Sequence, residues 1–371
     1  MKYYVIAGEA SGDLHGEYLM RALREQDPQA DFRFWGGDRM AAVAGTPVRH
    51  IRDLAIMGFV EVVVHLGTVL GNISFCKKDI VQYNPDVVIG IDYPGFNLKI
   101  EKWAKQHGFK TVHYISPNLW AWKKGRIKGM RRSLDRLCYI LPFVREFFAA
   151  NNLPQAVYVG HPLLDEIANS EFQPVATDCK IIALLPGSRR QELKNSLPLM
   201  AQLAKRHPEY RFVVAGMSLL GPDIYRRLMP ADSPVEVVFD NTYGLLASAH
   251  AAIVCSGTAT LETALFNVPQ VVCYRANPIS IAIAKAVVSR RIKYISLVNL
   301  IADKPVVTEL IQEDFNTERL EHEFSLVVDN GKNDNRNRML IEYAQMRTLL
   351  GDGGASRRTA DTIIKLIKPN S

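Results

Sequence analysis

The sequence predicts an α/β protein built of two successive doubly wound halves, each a parallel sheet with helices on both faces. Three observations carry this. The chain has 371 residues, more than one hydrophobic core accommodates, so two domains are expected. Short apolar runs alternate with longer helical stretches along the chain, the pattern of βαβ units in a parallel sheet. Near the middle, residues 168–179 (ANSEFQPVATDC) are polar, aperiodic and carry a Pro, which suits a linker between cores. The expected division is 1–168, 169–345 and a C-terminal helix over 346–371.

In the first half the strand runs are YYVIAG, FRFWGG, VVIGID, TVHYIS, RLCYIL and AVYVG. The first passes into a helix through what reads as a turn of Gly8, Glu9, Ala10, Ser11, Gly12 and Asp13. A helix entered this way leaves its first N–H groups free for an anion or hydroxyl. The third run ends in Asp92, followed by Tyr93, Pro94, Gly95, Phe96 and Asn97. A carboxylate at the end of a buried strand is costly unless paired or hydrated, so Asp92 is a general-base candidate. Strand-end Asp residues also serve as caps, and Asn97 suits such a cap as well.

The second half repeats the pattern with KIIALLPGS, YRFVVAG, VEVVF, AAIVCSG and PQVVCYR. After the first of these come Pro186, Gly187, Ser188 and Arg189, then a helix with Glu192 in its first turn. Ser188 is the expected N-cap, and backbone N–H groups with the Arg189 guanidinium suit a diphosphate cradle. The same spacing also fits an ordinary helix start. A second such turn carries Ser256, Gly257, Thr258, Ala259 and Thr260, with Glu262 one turn on, placed to accept hydrogen bonds from ribose hydroxyls. Ligands of open α/β sheets bind at the carboxyl ends of the strands, so both turns should share one edge. Neither G-x-G-x-x-G nor G-x-x-x-x-G-K-[ST] is present, which disfavours dinucleotide and P-loop readings. From about residue 335 the chain reads as helix, broken at 351–354 (GDGG) and resumed over 355–368, where Ile363, Ile364, Leu366 and Ile367 form an apolar stripe that must dock.

Lys and Arg number 45 against 38 Asp and Glu, a formal charge of +7, which favours acidic partners but also suits an ordinary solvated surface. Five cysteines (Cys76, Cys138, Cys179, Cys255, Cys273) include no C-x-x-C, and the nine histidines include no ligand spacing on one helix face. No disulfide framework and no metal are expected. Met1 and Lys2 lead directly into a strand without a signal-peptide pattern, and no run approaches the ~18–20 uncharged apolar residues of a membrane span. A cytoplasmic protein is expected. Residues 113–132 set Trp120 and Trp122 beside Lys123, Lys124, Arg126, Lys128, Arg131 and Arg132, while 56–75 holds one carboxylate among many apolar positions. An apolar slot with a basic rim at a lipid surface is one reading; core plus a solvated helix face is the other. Residues 279–300 again couple apolar positions with Lys285, Arg290, Arg291 and Lys293, as membrane-surface elements do. No nucleic-acid-binding module is present, and none is expected as a partner.

Eight stretches taken in order, AGEASGD, MGFVEV, PDVVIGIDYPGFN, HYISPNLWAW, GHPLLD, LLPGSRRQE, SGTATLE and YISLVNLIA, cover about residues 7–302. In them the sequence closely resembles the lipid-A-disaccharide synthases, bacterial glycosyltransferases of the GT-B fold, two Rossmann-like domains facing across a cleft. The resemblance implies transfer of 2,3-diacylglucosamine from UDP-2,3-diacylglucosamine to 2,3-diacylglucosamine 1-phosphate, giving a β-1,6-linked disaccharide and UDP with inversion. It implies no cofactor, and contact with the inner face of the cytoplasmic membrane. Carried over by position, Asp92 resembles the catalytic base and Arg189 the main diphosphate contact. Gly187, Ser188, Glu192, Ser256, Gly257, Thr258, Thr260, Glu262 and Asn299 correspond to the UDP site, and Gly8, Glu9, Ser11, Gly12, Asp13 and Asn97 to the acceptor side. Two positions depart from the family pattern: Val298 stands where Pro is usual and Asp303 where Gly is usual. Some family members exchange C-terminal segments between subunits, which would make a homodimer. Other GT-B readings are a peptidoglycan lipid-precursor transferase or a UDP-GlcNAc epimerase, the latter having no need of the Trp-rich basic rim; a non-catalytic lipid carrier or nucleotide sensor is a further class.

Overall fold

The computed structural model describes residues 1–54, 66–117, 126–275, 293–328 and 334–368. They form two units, residues 1–168 with 352–371, and residues 169–351. The first holds a seven-stranded sheet: β1 (Lys2–Ala7), β2 (Asp31–Gly36), β3 (Arg49–His50), β4 (Val87–Ile91), β5 (Lys110–Tyr114), β6 (Arg136–Tyr139) and β7 (Ala156–Tyr158), in the order β3-β2-β1-β4-β5-β6-β7. The second holds β8 (Ile181–Leu185), β9 (Arg211–Gly216), β10 (Glu236–Phe239), β11 (Ala249–Cys255), β12 (Gln270–Tyr274) and β13 (Thr308–Ile311), in the order β10-β9-β8-β11-β12-β13. Every pairing in both sheets is parallel. The eleven apolar runs of the sequence are strands; β3 and β13 are additions, too short or too polar (TELI) to stand out as apolar runs.

Parallel strands with helices on both faces must be apolar throughout. Every residue of β4 (VVIGI) and β8 (IIALL) is buried. In each unit the chain runs outward from its first strand, then returns to pair on that strand's other side: β1 joins β4 through Ala7 and Ile91, and β8 joins β11 through Leu185 and Val254. These are the two topological switch points, where adjacent crossovers lie on opposite faces and open a crevice at the strands' carboxyl ends.

Helix Asn335–Leu350 lies within the second unit, so the return to the first begins at Asp352, later than the expected 346. The final helix, Ala355–Ile367, packs on helix Ala10–Gln26, and its Ala360 and Ile363 join Tyr3, Leu19 and Tyr114 in one core. Gly354 and Ser356 donate backbone N–H bonds to Asp165, and Arg358 Nε donates to the Val159 carbonyl at 2.8 Å.

Candidate active site

At the first switch point helix Ala10–Gln26 begins one residue after Glu9, so the turn is only Gly8 and Glu9, and Ser11, Gly12 and Asp13 belong to the helix. Ser11 is exposed and Gly12 buried against Ala7. Gly8 has to lack a side chain, because a Cβ there would lie 2.4 Å from the Tyr93 ring. Asp13 has another task than facing a ligand. Its buried carboxylate accepts from the N–H groups of Gly37 (2.6 Å), Arg39 (3.1 Å) and Met40 (3.2 Å), capping helix Asp38–Ala44. An Asp13→Ala variant is expected to lose about 1–2 kcal/mol of stability, the usual cost of a lost cap, read as a lower denaturant midpoint.

Asp92, one strand over, lies directly beyond the buried run of β4. Both Asp92 and Tyr93 have left-handed backbones (φ 44° and 47°), and Ile115, which follows β5, has φ 69°. Such backbones are unfavourable for bulky or β-branched residues and persist where the surroundings enforce them. The turn is held from behind: Asn97, fully buried, donates Nδ2 to the carbonyls of Asp92 (2.8 Å), Ile91 (3.2 Å) and Ile6 (3.3 Å). Asn97 therefore fixes the turn and is shut away from any ligand. Burial raises the pKa of the Asp92 carboxyl, and the Glu9 carboxylate adds to this; the His113 charge and a hydrogen bond from the Tyr93 backbone work against it. A partly desolvated carboxylate is a stronger base than one in water.

Behind this edge, out of reach of motif-reading, His113 Nδ1 and Glu101 Oε1 are 2.7 Å apart, and both side chains are fully buried. They lie twelve residues apart in the sequence, and the register that sets Gly90 beside His113 brings them together.

At the second switch point β8 and β11 are neighbours, so the turns at 186–189 and 256–257 lie side by side on the sheet's carboxyl edge. The N-cap of helix Arg190–Arg206 is Arg189, not Ser188. Glu192 Oε2 accepts from the N–H groups of Ser188 (2.9 Å) and Arg189 (3.2 Å), the reach-back half of a capping box. Gly187, at φ 109°, permits this, since a Cβ would lie 2.4 Å from Glu192 Oε2. The Arg189 side chain stays 70% exposed, with its Nη1 3.7 Å from Glu192 Oε1. Alongside, Ser256 Oγ donates to the Ile295 carbonyl at 3.2 Å, while Gly257 and Thr258 are exposed at the start of helix Thr258–Leu265. Glu262 accepts from the Tyr243 hydroxyl at 3.4 Å. Thr260 is turned inward: fully buried, its hydroxyl donates to the Gly257 carbonyl at 2.8 Å. Tyr274, ending β12, joins this edge; burial raises its pKa, Cys255 and Glu192 add to the rise and Arg189 opposes it.

Asn299 is likewise committed to the fold. Its Oδ1 accepts from Val306 (2.8 Å) and Val307 (2.9 Å), and its Nδ2 donates to the Val307 carbonyl and to Glu309 Oε1, both at 2.9 Å. It borders a cavity of about 430 Å³ with Tyr294, Thr308, Glu309 and Arg338, which the turns at 187–189 and 256–258 do not line. Val298 is fully buried. Asp303 caps helix Leu297–Ala302 in a left-handed conformation (φ 49°), which explains how Asp replaces Gly there, Asp being among the residues that tolerate this region. The stretches 56–65, 118–125 and 279–292, with Trp120, Trp122, Lys123, Lys124, Lys285, Arg290 and Arg291, lie outside the described residues.

The family model for lipid-A-disaccharide synthetase matches residues 3–359. The lipid-A-disaccharide synthase of Geobacter metallireducens is 34% identical over 375 residues, covering 98% of this chain and 96% of its own. That of Syntrophus aciditrophicus is 36% identical over 377 residues, covering 98% and 97%. Among solved structures, the UDP-GlcNAc 2-epimerase of Neisseria meningitidis bound to UDP-GlcNAc superposes with TM-score 0.67 at 12% identity (98% and 100% covered). A calicheamicin glycosyltransferase does so with TM-score 0.62 at 15% identity (100% and 98%). Likenesses at that identity speak for the GT-B fold alone, whereas the family model and the full-length relatives speak for descent: the chain belongs to the lipid-A-disaccharide synthase family of glycosyltransferases.

Proposed function

We propose that this enzyme transfers 2,3-diacylglucosamine from UDP-2,3-diacylglucosamine to the 6-hydroxyl of 2,3-diacylglucosamine 1-phosphate, with inversion. The single observation that carries the chemistry is Asp92: a carboxylate at a switch point, raised in basicity by burial and held in an enforced turn by Asn97. In the reaction the acceptor O–H bond breaks and its proton passes to Asp92. The freed oxygen bonds to the anomeric carbon from the face opposite UDP, and the carbon–oxygen bond to the diphosphate breaks, its electron pair leaving with UDP. The exposed side chain of Arg189, with the helix start at 258, supplies positive charge for the departing diphosphate. No covalent intermediate and no divalent cation is needed in this scheme, and activity should survive EDTA.

Both substrates carry acyl chains, which calls for contact with a lipid surface. Supporting this, helix Leu66–Tyr83 exposes Leu70 and Val81 by 55% each and Phe75 by 39%, with the Arg49 guanidinium over the Phe75 ring at 4.9 Å. Among the described residues no helix is long and apolar enough to cross a membrane. The direct test mixes purified protein with the two substrates and looks for the disaccharide 1-phosphate by mass spectrometry. Its formation with stoichiometric UDP is the expected result; epimerised UDP-sugar, or unchanged substrates with a folded protein, refutes the proposal.

A further inference from the structure

Gly90 stands in the middle of buried β4, where a side chain would normally pack. A Cβ at this position would lie 2.2 Å from Glu101 Oε1 and 2.9 Å from Asn97 Cβ. The missing side chain lets helix Pro94–Gln106 lay its Glu101 carboxylate across the strand to reach His113, the register partner of Gly90 on β5. Two residues beyond Gly90 comes Asp92, whose backbone N–H donates to the Tyr114 carbonyl at 2.9 Å, tying the turn to the strand that carries His113.

Stability gives this cluster no reason to exist. Glu101, His113 and Asn97 are fully buried, and Glu101 Oε2 and Asn97 Oδ1 have no hydrogen-bond partner among the described residues. Each unpartnered buried polar atom costs free energy, and buried ion pairs replaced by apolar residues of like volume often leave a protein as stable or more so. A glycine in the middle of a strand adds a further cost. The arrangement makes sense if the imidazole is there for the neighbouring carboxylate.

We propose that His113, clamped by Glu101, is a positioning residue whose charge faces Asp92 from behind and holds it in the ionised, proton-accepting form. The inference rests on the reading of Asp92 as the base. Among the described residues the groups facing Asp92 are Glu9 just beyond β1, Tyr93 in its own turn and His113 on β5; those facing His113 are Glu101 on the helix, Asp92 and the Ile115 backbone. Burial and Glu9 both favour the protonated Asp92, and among the described residues His113 is the cationic influence set against them. Burial disfavours the imidazolium, but Glu101, Asp92 and the Ile115 backbone together outweigh it, so the pKa of His113 is raised. In this proposal His113 acts through its charge while Asp92 accepts the proton, and takes no proton itself in the transfer.

The test is the pH dependence of kcat/KM for the wild type, His113→Gln, Glu101→Gln and Asp92→Asn. Losing a close opposite charge raises a carboxyl pKa by about one unit or more. The acidic limb should therefore move up by about one pH unit in His113→Gln, with turnover recovering at alkaline pH. Glu101→Gln should move it in the same direction, because the imidazolium loses its clamp. An acidic limb that stays in place while turnover falls equally at all pH values overturns the inference, and leaves the Asp92 assignment standing if Asp92→Asn is inactive. An Asp92→Asn variant that keeps its turnover refutes the base assignment and this inference with it. If His113→Gln melts below assay temperature, the double variant Glu101→Gln/His113→Gln, which leaves no lone buried charge, is read by the same criterion.

Discussion

Asp92→Asn is expected to lower turnover by ~10²–10⁴-fold, the usual worth of a positioned general base, while the affinity for UDP stays within about twofold. The substitution keeps shape and size at a turn where shape matters: the left-handed backbone at 92 and 93 suits Asn as well as Asp, and the Asn97 bonds reach the main chain, not the side chain. What is lost is the proton acceptor. UDP affinity is the control that separates chemistry from folding. Asp92 belongs to the first unit and the turns assigned to UDP belong to the second. Isothermal titration with UDP alongside steady-state kinetics checks it; a parallel loss of both would make Asp92 a structural residue.

Arg189→Ala is expected to weaken UDP binding by about 1.5–3 kcal/mol, the range for a hydrogen bond to a charged group. The backbone around it narrows the interpretation. The N–H groups of Ser188 and Arg189, which a bare helix start would offer to phosphate, already donate to Glu192. At this turn the guanidinium is then the cation still free to meet a diphosphate, exposed and only loosely paired at 3.7 Å. Its removal leaves the fold intact, so the loss should appear in Kd and KM for the nucleotide sugar with an unchanged melting temperature. An unaltered UDP titration curve refutes the assignment.

The fold was legible because a doubly wound sheet writes itself in a one-dimensional pattern: buried parallel strands such as β4 and β8 are apolar runs. The switch points were legible for the same reason, as small and polar residues directly after such runs. What the pattern could not convey was where side chains turn. Asp13, Thr260 and Asn299 carry the chemistry of ligand-binding residues, yet their carboxylate, hydroxyl and amide are spent on neighbouring backbone. Nor could spacing reveal His113 with Glu101, which meet only through strand register and a glycine gap. Glu192 reads in the sequence as an acidic helix start; that its carboxylate closes on the N–H groups of Ser188 and Arg189 depends on the room left by Gly187.

The first unit is assembled from two stretches far apart in the sequence, residues 1–168 and 352–371. During synthesis its sheet emerges early, yet the apolar groove over Tyr3, Leu19 and Tyr114 waits uncovered until Ala360 and Ile363 leave the ribosome. The later unit, contiguous in sequence, can finish first, reversing the usual N-to-C order of co-translational folding. A nascent chain stalled near residue 350 should consequently be a magnet for chaperones through its first half alone.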